Sequence, residues 1–242
     1  MKRFLLLAVA ALMFVGCNNA FEDEGNARFE QNTLPTLTAA FDGANFTEVV
    51  IGDSVEYIGI DAFAECIRLS EVHISDVAAW CNIEYHTQGS NPLTIAGNLY
   101  LNAELVNNLV IPNGVITIGK YCFKNCECVE SLTIPNSVTT IGHSAFYGCR
   151  GLTKLTIPES VTEIDHYAFY HCKNLQGIYF KATTPPLLGS DVFRYYGYSE
   201  RYGDYVNMIL DCPIYVPTES VKLYKEASSW WEYVTKIVGY DF

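Results

Sequence analysis

The central part of the chain repeats one pattern of apolar and polar positions every 23 residues. Three consecutive units begin at Leu109, Leu132 and Leu155, and each ends on a cysteine. A fixed period of roughly 20 to 50 residues is typical of a solenoid, in which each unit buries its apolar face against its neighbours. The shared columns are Ile111, Ile134 and Ile157; Val115, Val138 and Val161; Ile118, Ile141 and Ile164; Phe123, Phe146 and Phe169; and Cys126, Cys149 and Cys172.

The same pattern occurs nearer the N-terminus, where Ile51 to Cys66 lie 60 residues before their counterparts Ile111 to Cys126. Because 60 is two periods plus 14 residues, we expect an intervening unit, which starts on time at Leu69, to carry an insertion over residues 76–108. A last strand fits Leu175 to Phe180. The sequence therefore contains six repeat starts, of which four are complete.

The insertion carries two local signals. A short helix is expected at Val77–Cys81, and a hairpin is expected to turn at Asn102-Ala103. Local packing over the neighbouring coil is the interpretation that we favour for this segment, and a binding surface is the alternative.

Within one unit, the residue pattern predicts a strand, a turn and a helical corner. Leu155 and Ile157 alternate with Thr156, as in a strand with one buried face, and Pro158 ends the strand because proline cannot donate to a ladder. The Ala-Phe-x-x-Cys run predicts a turn of α-helix or 3-10 helix. A turn with positive φ is expected in the glycine register that precedes this run. That register comprises Gly59, Gly119 and Gly142, with Asp165 in the last complete unit.

The C-terminal flank, residues 183–242, departs from the repeat and predicts a cap over the open end of the solenoid. Cys212 to Val216 predict a last strand, and Pro217-Thr218 predict a helix start with Thr218 as its N-cap. Two further groups are expected to cover the end: an inward helical stripe of Val221, Tyr224 and Ala227, and the aromatic residues Trp230, Trp231 and Tyr233.

The N-terminus has the pattern of an export signal. Lys2 and Arg3 precede twelve uncharged, largely apolar residues, fewer than the roughly 20 that span a bilayer, so residues 1–16 predict a signal peptide. Phe-Val-Gly-Cys at 14–17 resembles a bacterial lipobox, which makes Cys17 the expected lipidation site. Cleavage of an ordinary secreted protein is the alternative.

The segment after the cysteine is polar and short of aliphatic residues. We expect a flexible tether from Asn18 to about Thr33, within a region, residues 17–40, that comprises the lipidated N-terminus, the tether and the start of an N-terminal cap.

Charge narrows the class of partner. The formal net charge is −12, and removal of Lys2 and Arg3 would make it −14. Proteins bind nucleic acid and anionic membrane surfaces by neutralising phosphates with Lys and Arg. We therefore expect no nucleic acid partner, and membrane association through the lipid anchor only.

The repeat Leu-x-Ile-Pro-x-x-Val-x-x-Ile-Gly-x-x-Ala-Phe-x-x-Cys resembles the BspA-type leucine-rich repeat family of bacterial surface proteins, from Val49 to about Lys181. Ala79 to Ile83 and Leu99 to Asn102 look like an insertion of these proteins, and Ile214 to Pro217 looks like their C-terminal cap. The resemblance implies an α/β leucine-rich-repeat solenoid over residues 41–182, β-rich with short helical or 3-10 turns. It also implies a curved, non-catalytic recognition scaffold.

Nine cysteines raise the question of metal binding or disulfides. Cys122, Cys126 and Cys128 are close in sequence, but the register explains the first two, so we expect no metal site. Ladder cysteines in adjacent coils about 4.8 Å apart could form disulfides, yet cysteine is commonly a small buried apolar residue. We predict reduced thiols for the ladder, with disulfides as the alternative. The ladder cysteines are Cys66, Cys126, Cys149 and Cys172, whereas Cys81, Cys128 and Cys212 are unassigned.

The sequence contains no nucleophile-elbow, zinc-protease or phosphate-loop motif. His143 and His166 share a register on the turn, where a solvated surface position is expected. We therefore expect neither an enzyme nor a cofactor.

Three surfaces compete as binding sites: the outward strand column, the insertion, and the segment Arg194 to Tyr205. The composition of that segment suits an adaptable recognition loop, or a variable loop that closes the last coil. The outward column could equally be ordinary strand exterior. The candidate ligand-binding residues are His73, Thr133, Thr156 and Tyr179 in the column, and Tyr195, Tyr196, Tyr198, Tyr202 and Tyr205 in the segment.

Two functions are consistent with these features. The family resemblance implies adherence to host matrix proteins or to other cells, so the main hypothesis is a protein-binding or adhesion module. This module would be a monomer, anchored at the outer membrane and cell surface, with a host or bacterial surface protein as partner. The alternative is glycan capture for nutrient uptake, since Tyr and Trp side chains can stack on sugar rings.

Overall fold

The computed structural model describes residues 26–29, 36–37 and 45–242. The predicted signal peptide and Cys17 lie outside these residues. The chain divides into two units, residues 1–106 and 107–242. No helix of the described residues is long and apolar enough to cross a membrane.

The first unit is built mainly from short parallel strands in two sheets. One sheet has the order β1-β3-β5-β7-β8 and the other β2-β4-β6, and every pair is parallel except the β7–β8 hairpin. The strands are β1 Asn26–Phe29, β2 Thr36–Leu37, β3 Glu48–Ile51, β4 Tyr57–Ile58, β5 Glu71–Ile74, β6 Glu84–Tyr85, β7 Leu99–Leu101 and β8 Glu104–Leu105. The helices are α1 Val77–Asn82, a 3-10 turn at Gln88–Ser90, and α2 Leu93–Ala96.

Strand β1 corrects the predicted tether. Residues 18–33 were expected to be flexible, but Asn26–Phe29 pair in parallel with Glu48–Ile51. The edge of β3 presents backbone N–H and C=O groups that need partners, and β1 supplies them. Any tether therefore ends before Asn26.

Both local predictions for the insertion are confirmed. Helix α1 begins after Asp76, whose carboxylate accepts hydrogen bonds from the backbone N–H groups of Ala78 at 2.6 Å and Ala79 at 3.0 Å. Strands β7 and β8 are joined by Asn102 and Ala103, with φ of 52° and 69°. Two successive positive φ values match the type I′ turn, whose twist suits a tight hairpin.

The second unit contains three parallel sheets and one antiparallel hairpin. The parallel sheets have the orders β9-β11, β10-β12-β14-β16 and β13-β15-β19-β20, and β17 pairs with β18. The strands are β9 Asn108–Val110, β10 Thr117–Ile118, β11 Ser131–Thr133, β12 Thr140–Ile141, β13 Lys154–Ile157, β14 Glu163–Ile164, β15 Gly177–Phe180, β16 Leu187–Leu188, β17 Arg194–Ser199, β18 Asp204–Ile209, β19 Ile214–Pro217 and β20 Ile237–Tyr240. The helices are α3 Val221–Glu226 and 3-10 helices at Thr218–Ser220 and Ser228–Lys236.

The repeat register places like residues beside one another. Thr117 pairs with Thr140, and Thr140 with Glu163, each a step of 23 residues. Phenylalanines stack in the core with centroid separations of 5.3, 5.2 and 5.8 Å along the series Phe123, Phe146, Phe169 and Phe193, all of them buried. The stack therefore continues past the last complete repeat into the flank.

The ladder cysteines of this unit are buried thiols. The Sγ of Cys149 donates to the carbonyl of Phe123, and that of Cys172 to the carbonyl of Phe146, each at 3.2 Å. Burial raises the pKa of the Cys172 thiol to about 12. A thiol that donates to a backbone carbonyl in an apolar core supports the predicted reduced state, which stays a prediction.

The prediction of positive φ in the glycine register was wrong. Positive φ occurs two residues later in each turn. Glycine is required in the register for a different reason: a Cβ on Gly142 would lie 2.9 Å from both the Ile118 carbonyl oxygen and the Lys120 backbone nitrogen of the preceding coil. The positive φ values belong to Asp61 (48°), Tyr121 (61°), Ser144 (53°) and Tyr167 (59°).

The cap differs from its prediction in three places. The last strand is β20 rather than β19, and it pairs in parallel with β19. Thr218 is not an N-cap, because its hydroxyl donates to the Asp241 carboxylate at 2.7 Å. Trp230 and Tyr233 are buried as expected, but Trp231 is 71% exposed and covers nothing.

Candidate functional site

The tyrosine-rich segment forms an antiparallel hairpin, where the sequence predicted a loop. Tyr196 lies opposite Asn207, and Tyr198 lies opposite Tyr205, in a ladder of six residue pairs. Alternating aromatic and small residues suit a strand, because successive side chains point to opposite faces. The ladder makes this segment an ordered surface.

One face of the hairpin carries clustered tyrosine rings. The rings of Tyr196 and Tyr205 stack with centroids 5.9 Å apart, and Tyr198 meets Tyr205 edge-on at 5.6 Å. Tyr202 lies at the turn, with the Arg201 guanidinium 5.5 Å from its ring centroid. Exposed fractions are 54% for Tyr196 and Tyr198, 66% for Tyr202 and 57% for Tyr205. We call Tyr196, Tyr198 and Tyr205 the tyrosine face.

Tyr195 does not belong to this face. Its hydroxyl approaches the Met208 sulfur at 3.9 Å, and the Lys173 ammonium lies 5.6 Å from its ring centroid. Residues one apart on a strand point in opposite directions, so the grouping of Tyr195 with the other candidate tyrosines was wrong.

The base of the hairpin is fixed to the cap by polar contacts. The Arg194 guanidinium donates to the Glu232 carboxylate at 2.9 Å and to the Asn207 carbonyl at 3.0 Å. The Asn207 amide donates to the Asp191 carboxylate at 2.6 Å. These bonds hold the tyrosine face in one orientation on the second unit.

A second aromatic surface lies on the exterior of the sheet β13-β15-β19-β20. Tyr179, a candidate from the strand column, stacks on Tyr215 with centroids 4.6 Å apart, and Tyr240 meets both edge-on. The Lys154 ammonium lies 4.5 Å from the Tyr179 ring centroid. Thr156 pairs with Tyr179 in the same sheet. The sequence gave no signal for Tyr215 and Tyr240, because only strand pairing beyond the repeat brings them beside Tyr179.

The remaining members of the predicted column lie elsewhere. Thr133 belongs to the separate pair β9–β11, opposite Val110. His73 lies in the first unit, where its ring stacks on Tyr100 at 4.7 Å and its Nε2 is 3.0 Å from a Glu71 carboxylate oxygen. The predicted column is therefore split between sheets.

One cluster in the first unit has metal-ligand residue types. Potential ligand atoms of Glu48, Glu71 and His73 lie within 4.8 Å of one another, and all three residues are partly buried. Strand pairing sets Glu48 beside Glu71, and the His73 imidazole already contacts Glu71. Three donors are fewer than the four protein ligands of a structural zinc site, so the cluster is not assigned as one.

The histidines of the turn register are at the surface, as predicted. His143 is partly buried and His166 is exposed. Burial is the main cause that lowers the pKa of His143, and the neighbouring Asp165 carboxylate opposes that shift. Their rings lie 6.4 Å apart and are tilted, an arrangement without a nucleophile between them.

Comparisons with known proteins agree with this architecture. The model of the BspA type leucine rich repeat region matches in six copies, over residues 37–86 and 93–198. A leucine-rich repeat protein from Bacteroides ovatus is 23% identical with a TM-score of 0.44, over 70% of this chain and 40% of that one. A leucine rich cell surface protein from Faecalibacterium prausnitzii is 22% identical with a TM-score of 0.44, over 82% and 65%.

The pneumococcal vaccine antigen PcpA is 16% identical, with a TM-score of 0.40, over 81% of this chain and 68% of that one. The chain thus spans 40% and 65% of the length of the first two solved structures. No curated protein matches it. The match is to a repeat family rather than to a catalytic one, and it covers more than half of the residues. The chain belongs to the BspA-type leucine-rich repeat family.

Proposed function

We propose that this protein is a protein-binding module of the bacterial cell surface and that the tyrosine face of the β17–β18 hairpin is its main contact surface. The observation that carries the proposal is the exposure of Tyr196, Tyr198 and Tyr205, each more than half accessible, on an ordered hairpin. Tyrosine is enriched at protein interfaces because it offers a large apolar area and one hydroxyl.

The order of this face favours binding. The three rings contact one another, and the hairpin base is bonded to the cap through Arg194. Rings that are already restrained lose less conformational entropy when a partner covers them. A flat aromatic face of this kind suits the surface of another protein better than it suits a small ligand.

Glycan capture by the same tyrosines is less well supported. A site for a small ligand is usually concave, with polar groups that converge on the ligand. Tyr196 and Tyr198 lie on the open surface of a two-stranded ladder, next to Tyr205. We therefore assign the hairpin to protein binding, with adhesion to a host or bacterial protein as the biological role.

The proposed location is the outer surface of the cell, with a lipid anchor at Cys17. The Gly16-Cys17 sequence after a short apolar segment supports the anchor, and the name of the Faecalibacterium neighbour, a cell surface protein, is consistent with the location. An acidic chain with a net charge of −12 would gain little from anionic headgroups, so acyl chains would have to provide the attachment.

A binding experiment tests the proposed surface. The purified chain is passed over immobilised fibronectin, laminin and collagen, and the affinity is compared with that of the triple variant Tyr196→Ala, Tyr198→Ala and Tyr205→Ala. We expect at least about a tenfold loss of affinity, since buried interface tyrosines commonly contribute more than about 1.4 kcal/mol.

Leu223→Ala provides the matched control, because Leu223 is an exposed apolar residue on α3, away from the hairpin strands. Its affinity should equal that of the wild type. Equal losses in the control and in the triple variant, or binding to none of the three matrix proteins, would count against the proposal.

A further inference from the structure

A groove in the second unit is used by neither the repeat columns nor the tyrosine face. It lies between the end of β14, the strand β16 and the 3-10 helix Ser228–Lys236, and its volume is about 380 Å³. Small-ligand sites commonly measure roughly 300–1,000 Å³. The groove is therefore large enough for a small molecule.

Trp231 forms an apolar wall of this groove. Its neighbour Trp230 is fully buried and donates its indole N–H to the Pro186 carbonyl at 2.9 Å, whereas Trp231 is 71% exposed. Adjacent residues of a 3-10 helix point about 120° apart, so only one of the two indoles can pack into the core. Capping of the repeat therefore accounts for Trp230 and leaves Trp231 unexplained.

Polar groups of fixed orientation stand along the same groove. The backbone N–H of Ser190 donates to His166 Nδ1 at 2.9 Å, so in the neutral ring Nε2 carries the proton and can donate. Glu232 is held by the Arg194 guanidinium at 2.9 Å. Glu163 also lines the groove, and within the described part of the chain its carboxylate has no side-chain partner.

We propose that this groove binds a neutral saccharide, with one sugar ring stacked on Trp231. A pyranose has an apolar C–H face and a rim of hydroxyls that both donate and accept. The C–H face suits the negative π face of the indole, and the rim suits carboxylate acceptors beside an imidazole donor.

Other ligand classes fit these groups less well. A hydrocarbon would bury the Glu163 and Glu232 carboxylates without hydrogen bonds, which is costly. An organic cation would suit the carboxylates, but it would also face the Arg194 guanidinium bonded to Glu232. A polyhydroxyl compound satisfies donors and acceptors together.

This inference goes beyond the proposed protein-binding function and depends on different residues. The groove uses Trp231, Glu163 and His166, and the tyrosine face uses none of them. One property can therefore fail while the other holds.

Tryptophan fluorescence gives a direct test on the whole chain. The chain has three tryptophans, of which Trp80 and Trp230 are buried, so acrylamide should quench mainly Trp231. A panel of neutral soluble oligosaccharides, with gluco-, manno-, galacto- and xylo-configured members, is titrated against the quenching constant. At least one member should protect the indole, and isothermal calorimetry on that member gives its affinity.

Three variants separate the possible explanations. Glu163→Gln should weaken saccharide binding about tenfold, as expected for loss of one charge-assisted hydrogen bond. Trp231→Ala should weaken it at least as much while the thermal melting point stays within a few degrees of the wild type, because the side chain is exposed. Tyr198→Ala, on the tyrosine face, should leave it unchanged.

Three results would overturn the proposal. They are a panel in which no saccharide protects Trp231, protection by choline or lysine but by no sugar, and saccharide affinity that survives Trp231→Ala.

Discussion

Lys124 is a buried lysine in the register that Tyr147 and Tyr170 continue. Its ammonium lies 3.4 Å from the centroid of the Tyr147 ring, a cation–π contact that partly replaces water. Burial lowers the pKa of Lys124 to about 8. The repeat predicts an ordinary turn position here, so the charge is a feature of this one coil.

Lys124 should make the stability of the fold depend on pH. The unfolded chain holds the proton up to its ordinary pKa of 10.5, whereas the folded chain releases it near 8. The cost of burying the charge is therefore fully present below about pH 8 and is relieved as the pH rises toward about 10.5. We expect Lys124→Met to be more stabilising relative to wild type at pH 7 than at pH 10.

Urea unfolding under reducing conditions at both pH values measures this difference. Other buried groups, such as Tyr224, whose pKa burial raises to about 13 and so beyond the range of the experiment, act equally in both proteins and cancel. Lys120→Met, at a partly exposed position, is the control and should show no such trend. An unfolding free energy difference that stays constant with pH would contradict the assignment.

At the scale of elements, the cap ends the solenoid by continuing its sheet. Strand β20 pairs with β19, and β19 with β15, so the parallel ladder extends beyond the repeats. The side chain of Trp230 contacts Phe180 at 4.9 Å and Tyr224 at 4.8 Å, both edge-on. These contacts cover the last phenylalanines of the core.

The two adjacent tryptophans should differ sharply in their effect on stability. Trp230→Ala removes a fully buried indole and its hydrogen bond to Pro186, so it should lower the free energy of unfolding by about 3–5 kcal/mol. Trp231→Ala should change it by less than about 0.5 kcal/mol, because that side chain is exposed. Chemical denaturation of both variants measures the difference, and similar values for both would show that the cap is packed differently.

At the scale of the whole molecule, the two units each carry parallel sheets, and the proposed binding surfaces belong to the second. The tyrosine face and the Trp231 groove are both built from segments after the last complete repeat. The repeats thus provide a stable frame, and the flank provides the chemistry that varies. Attachment of that frame to a membrane would depend on Cys17, outside the described residues.

Lipid anchoring predicts a simple fractionation result. The wild-type chain expressed in a bacterium should carry acyl chains and sediment with membranes, because each buried methylene contributes about 0.8 kcal/mol. Cys17→Ser should release the protein into the soluble fraction, and Cys128→Ser should not. Mass spectrometry of the N-terminal peptide reports the modification, and a membrane-bound Cys17→Ser protein would argue for another means of attachment.

The sequence by itself determined the repeat units, the buried phenylalanine and cysteine columns, the helix after Asp76 and the hairpin at Asn102-Ala103. These features depend on local periodicity and on turn chemistry, which act over a few residues and recur in register. The family followed from the same columns.

Only the tertiary structure decided which side chains meet across segments without periodicity. It placed Tyr215 and Tyr240 beside Tyr179, separated Tyr195 from the other hairpin tyrosines, and exposed Trp231 while burying Trp230. It also moved the positive φ values away from the glycine register, because the glycines serve a close approach between coils. Pairing across long chain separations sets these outcomes, and no local pattern encodes it.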